Sequence, residues 1–474
     1  MKRKYLLLFI LFPAIVLFIA CPAPEPKTDQ TEIAAPALTW QVPVDIQDTS
    51  TQANYYKFGW ESFVALNWPA NPAYRGMPDT SLQIGATDPN GDFMKVVWEA
   101  WQEQYEIFLP GGVNPGPWNA MYANHAHNLK VLRMFSKIDS SAVSDDFNEA
   151  FGGPLIDQDS QYVRYEVRAN ESEYDYFVNN SYYNSDSQMV AVSQNRFVGF
   201  PKGNDSLSQS LGYWAQYGAT EVKASWRVFT ANTPQSIKDR YFHKHAILVN
   251  TYGIPADTVE VGLVGMHILR LTPKTHNTWY WASFEQVDNV QLQPDYGGTA
   301  PSHPTFNSNP PVMSSTGYTY KGSTSTKPSP IIPGQPMPAT AYPVYVCAPP
   351  FNQMDSTLDS INMVYHQLLA NTPFQYYQMI GGVNPPNSTS SSYTNTAGGY
   401  ASVTVNTNQM ANATMETYFV QTNCISCHIT GYPQCYPADD SIHASGNDQV
   451  FTFLPGLAQN AADLQRKKLK KPGK

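Results

Sequence analysis

Residues 221–228 read Glu-Val-Lys-Ala-Ser-Trp-Arg-Val, and this stretch decides the fold class. Val222, Ala224, Trp226 and Val228 alternate with Glu221, Lys223, Ser225 and Arg227, a period of two that sets apolar and polar residues on opposite sides of a strand. Val163, Tyr165 and Val167 repeat the pattern against Arg164, Glu166 and Arg168. Half-buried strands of this kind belong to an antiparallel sheet with one face packed and the other wet. Residues 261–269 (VGLVGMHIL) are apolar on both faces and predict a central strand, with 279–287 (WYWASFEQV) as its neighbour. Residues 242–250 predict a further strand that puts His243 and His245 on one face.

Working outward, residues 55–68 (YYKFGWESFVALNW) and 96–108 place large apolar residues at roughly helical spacing, and Pro69 and Pro110 end both segments. In 356–369, Leu358, Ile361, Val364, Tyr365 and Leu368 recur at three-and-four spacing, a third helix. No repeat or long charge run divides 40–382, so it reads as one α+β unit, an antiparallel-sheet body with flanking helices. Its stretch 297–342, rich in Pro, Ser, Thr and Gly, reads as a long surface excursion, and 383–404 as a polar linker.

Composition narrows the function classes. Charged residues are 14% of the 474, well below the roughly 25% of an ordinary domain, while aromatics reach 13%. That mix excludes a disordered polyampholyte and a coiled coil. The net charge is −9, yet Lys2, Arg3 and Lys4 lie in a leader-like segment, and Arg466, Lys467, Lys468, Lys470, Lys471 and Lys474 crowd the tail. The body between is more acidic than the total, which argues against nucleic acid as a partner.

The leader has a basic start and an apolar run over 5–20, the layout of a secretory signal and shorter than a bilayer span requires. It ends Phe18-Ile19-Ala20-Cys21, which resembles the lipobox of bacterial lipoproteins. The resemblance implies a signal peptide over 1–20, lipidation of Cys21, and an exported chain anchored by lipid at the cell envelope. The Pro-rich 21–39 reads as a tether. With Pro22 rather than Asp after the cysteine, the resemblance favours the outer membrane or the periplasmic face over the inner membrane.

Near the other end the chain reads Asn423-Cys424-Ile425-Ser426-Cys427-His428. Two thiols three residues apart reach the two vinyl groups of one porphyrin, and the next residue sets an imidazole under the iron. The run is the attachment signature of haem c, and the segment 405–474, with 413–422 as a helix leading into it, resembles a small, mostly helical cytochrome c. The resemblance implies one covalent haem on Cys424 and Cys427, His428 as proximal ligand, and electron transfer with a redox partner protein or a small-molecule donor or acceptor. It breaks at the sixth position, because no Met follows His428. His443 is the one imidazole downstream; Met379, Met410, Met415, His267 and His303 are further candidates, and an open position is another.

Three alternatives stay open. Cys424, Cys427, Cys435 and His443 can supply a structural zinc site, and Cys424 and Cys427 can form a disulfide; either makes the protein a non-redox surface binding lipoprotein. The body can instead hold a substrate pocket and make it a haem-dependent oxidoreductase. Cys347 and Cys435 remain once the other three cysteines are assigned, and an oxidising compartment favours a disulfide between them. Elsewhere, His125 with His127 or His243 with His245 can each offer a metal two ligands, and Glu166, Glu173, Asp175, Glu285 and Asp288 are candidate acids and bases.

Overall fold

The computed structural model describes residues 36–109, 112–120, 129–132, 153–184, parts of 187–212, 215–249, 255–275, 279–290, 305–306, 318–320, 344–346, 356–383 and 412–418. The chain divides after Pro36, and the fold is that of the part from Ala37 onward. Its elements are α1 (Gln52–Leu66), β1 (Gln102–Glu103), α2 (Gln104–Ile107), β2 (Lys130–Leu132), β3 (Arg164–Ala169), α3 (Glu171–Asn179), β4 (Thr220–Val228), α4 (Gln235–Lys238), β5 (His243–Val249), β6 (Pro255–Arg270), β7 (Tyr280–Gln286), β8 (Tyr318–Tyr320), β9 (Val344–Val346), α5 (Ser356–Leu368) and β10 (Tyr377–Val383). Among the described residues no helix is long and apolar enough to cross a membrane.

The main sheet runs β1-β3-β4-β6-β5-β2, with β7 also on β6 and β10 on β7; β8 and β9 pair separately. The fold is α+β as expected, and 261–269 lies in the central strand β6, with β7 beside it. One detail differs. The sheet is mixed rather than antiparallel throughout, because β2 lies parallel to β5.

Two rows of cross-strand neighbours define the two faces of the sheet. The first is Glu166, Ala224, Met266, Phe284 and Met379; the second is Tyr165, Ser225, Gly265, Glu285 and Gln378. Neighbours in register share a face, and the two rows, offset by one residue, point to opposite faces. The first face receives the helices. Trp60 and Phe63 of α1 pack on Phe284 with ring centroids 5.0 and 4.4 Å apart, and Trp60 stacks on Tyr365 of α5 at 4.8 Å. Trp60 Nε1 also donates to Asn362 Oδ1 at 2.9 Å, and Asn362 Nδ2 donates to the Met379 carbonyl at 3.0 Å, so one indole ties α1, α5 and β10 together. A Cβ on Gly59 would lie 2.4 Å from the Tyr280 hydroxyl, which is held by the Tyr55 carbonyl, so glycine there lets α1 lie this close to the sheet.

The strands are not half-buried. All of β3 is buried, and β4 is buried except at the half-buried Lys223. The second face is covered too, by a smaller cluster that includes Tyr162, Tyr165, Phe229, Tyr241, Ala413 and Met415.

The helix expected over 96–108 is also corrected. The segment forms a 3-10 turn at Trp98–Ala100 and the four-residue α2 rather than one helix, and between them Trp101 turns extended, with ψ 165°. The next two residues join the sheet edge, Gln102 opposite Ala169 and Glu103 opposite Arg168. Arg168 Nη1 donates to the Trp101 carbonyl at 2.8 Å and holds the break. Tertiary pairing overrides the local spacing here. Residues 412–418, expected to be largely helical, form one hydrogen-bonded turn, with the Glu416 amide on the Asn412 carbonyl at 2.9 Å.

Candidate functional site

Cys21, Cys347, Cys424, Cys427, His428, Cys435 and His443 all lie outside the described residues, as do His125, His127, His303 and Met410. Two features inside them bear on function.

The first is a cleft of about 690 Å³ on the helix-bearing face. Its floor is a knot of buried charge. Glu99 is brought in by the 3-10 turn, where its Oε2 takes the Val96 amide at 3.2 Å. Lys130 of β2 reaches Glu99 Oε1 at 2.9 Å and also meets Glu166, and Lys244 of β5 pairs with Glu99 Oε2. Glu166 additionally accepts from Arg168 Nε at 2.7 Å and Trp226 Nε1 at 2.8 Å. The Lys130 ammonium sits over the indoles of Trp98 and Trp226, 5.1 and 4.4 Å from their centroids. Phe93, Met94 and Trp101 give the cleft an apolar wall, and Lys95 lines it beside Glu99.

Electrostatics in the knot follow from burial against pairing. Burial opposes the Glu99 carboxylate, yet Lys130 and Lys244 hold it down at about 2. Glu166 is likewise held below its ordinary range by Lys130 and Arg168 despite burial. Burial pushes the Lys95 ammonium down to about 8, with Arg168, Lys244 and Lys130 adding to the push and Glu99 opposing it. An amine with such a value in a cleft is a candidate functional group.

The second feature is the turn 412–418, which ends six residues before Cys424 and lies on the opposite face, against the second row. Tyr165 OH donates to the Thr414 carbonyl at 2.6 Å, and Ser225 Oγ lies 2.7 Å from Thr414 Oγ1. Asn412 Nδ2 donates to Ser283 Oγ and to the Phe284 carbonyl, and the Ala413 amide donates to Glu285 Oε1 at 2.5 Å. His267 Nε2 lies 3.3 Å from Glu416 Oε2. Met415 is buried in the smaller core cluster and Met379 in the main one.

Glu285 carries a pH dependence. Burial pushes its carboxyl up to about 7, the Ala413 amide opposes this, and Glu416 nearby adds to it. A carboxyl raised in the folded state from 4.5 keeps its proton while the unfolded chain loses it, so its penalty on folding grows from pH 4.5 to about 7 and is constant above. Glu285→Gln keeps an acceptor for Ala413 and removes that penalty. It is expected to match the parent near pH 4 and to be on the order of 1–3 kcal/mol more stable at pH 8. Denaturant unfolding across that range measures it, and parallel profiles would contradict the assignment. The His267–Glu416 contact is present in both proteins.

The remaining candidates disperse. His243 Nδ1 lies 2.7 Å from Glu260, and the exposed His245 faces Asp92 at 3.2 Å, so the two histidines of β5 engage different carboxylates. Among the described residues no group of three or more His, Cys, Asp or Glu is placed to hold a metal. Asp288 is occupied by a two-point pair with Arg240, at 2.5 and 2.6 Å. Glu173 is buried on α3 and Asp175 half-buried beside it, both away from the cleft lining. Sequence reasoning named Glu166 and passed over Lys95, Glu99, Lys130 and Lys244. The available signal was Lys244, set by the period of two on the face opposite His243 and His245. Comparison with family models, curated proteins and solved structures gives no match, so the functional assignment rests on the residues of this chain.

Proposed function

We propose that the protein is an exported, lipid-anchored c-type cytochrome that carries electrons through one covalent haem on Cys424 and Cys427, with His428 as proximal ligand. The observation that carries this reading is the Cys424-x-x-Cys427-His428 run in a chain whose leader ends at Cys21. The donor set suits the group: two thiols spaced for thioether formation and an imidazole for the iron. When bound, the haem supplies a one-electron ferrous–ferric couple. The chain's own part is to hold that group against the body, and the bonded turn 412–418 supports this by anchoring the start of the segment 405–474 on the His267 side of the sheet. In this reading 1–20 is the signal, 21–39 the tether, 383–404 the linker, and a Cys347–Cys435 bridge adds a second tie to the body.

A haem-dependent oxidoreductase is the second reading, and the cleft favours it. Cleft and turn lie on opposite faces of the sheet, however, which supports a carrier over an enzyme whose substrate pocket opens on the iron. The test is the absorbance spectrum of protein made with haem-attachment machinery, in both redox states. A Soret band that survives denaturation and acid–acetone extraction is expected, and His428→Ala should abolish holo-protein while the lipidated body is still exported. A colourless, zinc-containing protein overturns the proposal. Carbon monoxide binding to the reduced form would favour the oxidoreductase reading.

A further inference from the structure

Glu285 lies on the second face, in register with Gly265 on one side and Gln378 on the other, and is 2% exposed. The turn 412–418 sits over it, and the Ala413 amide donates to Glu285 Oε1 at 2.5 Å. Among the described residues no cation is set against this carboxyl; the charge nearest to it on the turn is Glu416, another carboxylate. The cations of this face act on Glu416 instead, His267 of β6 at 3.3 Å and Lys223 of β4 through its field. Beyond the end of β7, Asp288 is taken by Arg240, and β10 offers only the neutral Gln378. An interior carboxyl with no counter-ion costs less protonated than charged. The other ties of the turn are neutral: Tyr165 OH on the Thr414 carbonyl, Asn412 Nδ2 on the Phe284 carbonyl, and Tyr418 OH on the Pro154 carbonyl at 2.6 Å. None of them titrates between pH 4 and 8.

We propose that the turn 412–418 is a proton-linked latch, seated on the sheet while Glu285 carries a proton and loosened when Glu285 gives it up. Lifting the turn returns Glu285 to water and to an ordinary proton affinity. The docked carboxyl is raised by burial from 4.5 to about 7, so its support for docking is complete below pH 4.5 and is lost as pH rises to about 7. Glu416, raised by burial but held below its ordinary range by His267 and Lys223, gives up its own support only in more acid conditions. Because the turn ends six residues before Cys424, pH would set how firmly the start of the segment 405–474 is held.

Hydrogen exchange of the full-length protein from pH 4.5 to 8 tests the latch, with rates taken relative to an unstructured chain at each pH so that base catalysis cancels. Protection at 412–418 is expected to fall on the order of a hundred-fold between pH 4.5 and 7.5. A histidine also sheds its charge near neutral pH and would weaken a pair with Glu416 in the same direction, so two variants separate the causes. Glu285→Gln should remove most of the fall, and His267→Gln should keep it. Protection in the parent that does not change with pH, or a fall that survives in a folded Glu285→Gln, overturns the proposal. The test needs no haem, so its outcome is independent of the redox reading.

Discussion

Glu166→Ala is expected to destabilise the body by about 3–5 kcal/mol, the cost of leaving buried cations without their counter-charge. Glu166 is 1% exposed and is shared by Lys130, Arg168 and Trp226 Nε1. Were it a surface pair, screening and side-chain entropy would reduce the effect to about 0–1 kcal/mol. Burial decides for the larger figure, because the alanine variant removes the carboxylate that Arg168 pairs with directly, leaving it the Trp101 carbonyl and the charges of Glu103 and Glu106, and leaves Lys130 to Glu99 alone. Glu166→Gln keeps an acceptor for the indole but not the charge, so it should fall between parent and Glu166→Ala. Adding Lys130→Met to Glu166→Ala should cost less than the sum of the two singles, since each removes half of one interaction. Folded values below the ordinary range mean that Glu99 and Glu166 stabilise the protein above their unfolded values, near 4.5, and that this contribution is lost as pH falls through the folded ones, about 2 for Glu99. Urea unfolding at pH 7 reads the mutational loss, and a series from pH 5 down to about 2 reads the pH dependence. A loss below about 1 kcal/mol at pH 7 would contradict the knot.

The same residue marks the limit of what patterning conveys. Alternation in 221–228 places β4 to within one residue, since a strand with Trp226 and Val228 on one side has only one way to bury them. The double-apolar 261–269 stretch likewise identifies the centre of the sheet. A period of two, however, cannot distinguish a polar face that meets water from one that meets other charges. Glu166, Arg164 and Arg168 read as a wet face, yet all three are buried. Their covering groups, Glu99, Lys130 and Lys244, come from three separate segments, and β2 is three residues long, too short to show any period. The break in 96–108 was hidden for a related reason: Trp98, Trp101, Tyr105 and Phe108 do recur at helical spacing, and only the sheet edge recruiting Gln102 and Glu103 interrupts them. The 412–418 turn depends on acceptors more than a hundred residues away, the Phe284 carbonyl and the Glu285 carboxylate, and no local rule anticipates those.

Gly265→Ala is expected to undock that turn. A Cβ at Gly265 would stand 2.4 Å from Thr414 Oγ1, 2.7 Å from Ser225 Oγ and 3.0 Å from Asn412 Oδ1. These are short side chains held by each other, since Thr414 Oγ1 donates to Asn412 Oδ1 at 2.7 Å while Ser225 Oγ lies 2.7 Å from the same Thr414 oxygen. None can move aside and keep its partners. Overpacking of this kind costs about 1–3 kcal/mol, and each buried hydrogen bond given up adds about 1 kcal/mol, so a total of about 2–4 kcal/mol is expected. The loss should be local. The first row of sheet neighbours and the α1–α5 packing lie on the other face and do not touch Gly265, so hydrogen exchange should quicken at 412–418 and at the Tyr165 side of the sheet while α1 stays protected. In the haem-loaded protein the same variant should leave covalent attachment intact, because Cys424, Cys427 and His428 are unchanged. Exposure of the segment 405–474 to limited proteolysis should rise. Unaltered exchange at 412–418 would mean that the turn yields to an added methyl, and the close approach of Gly265 would then lose its role in holding the segment to the body.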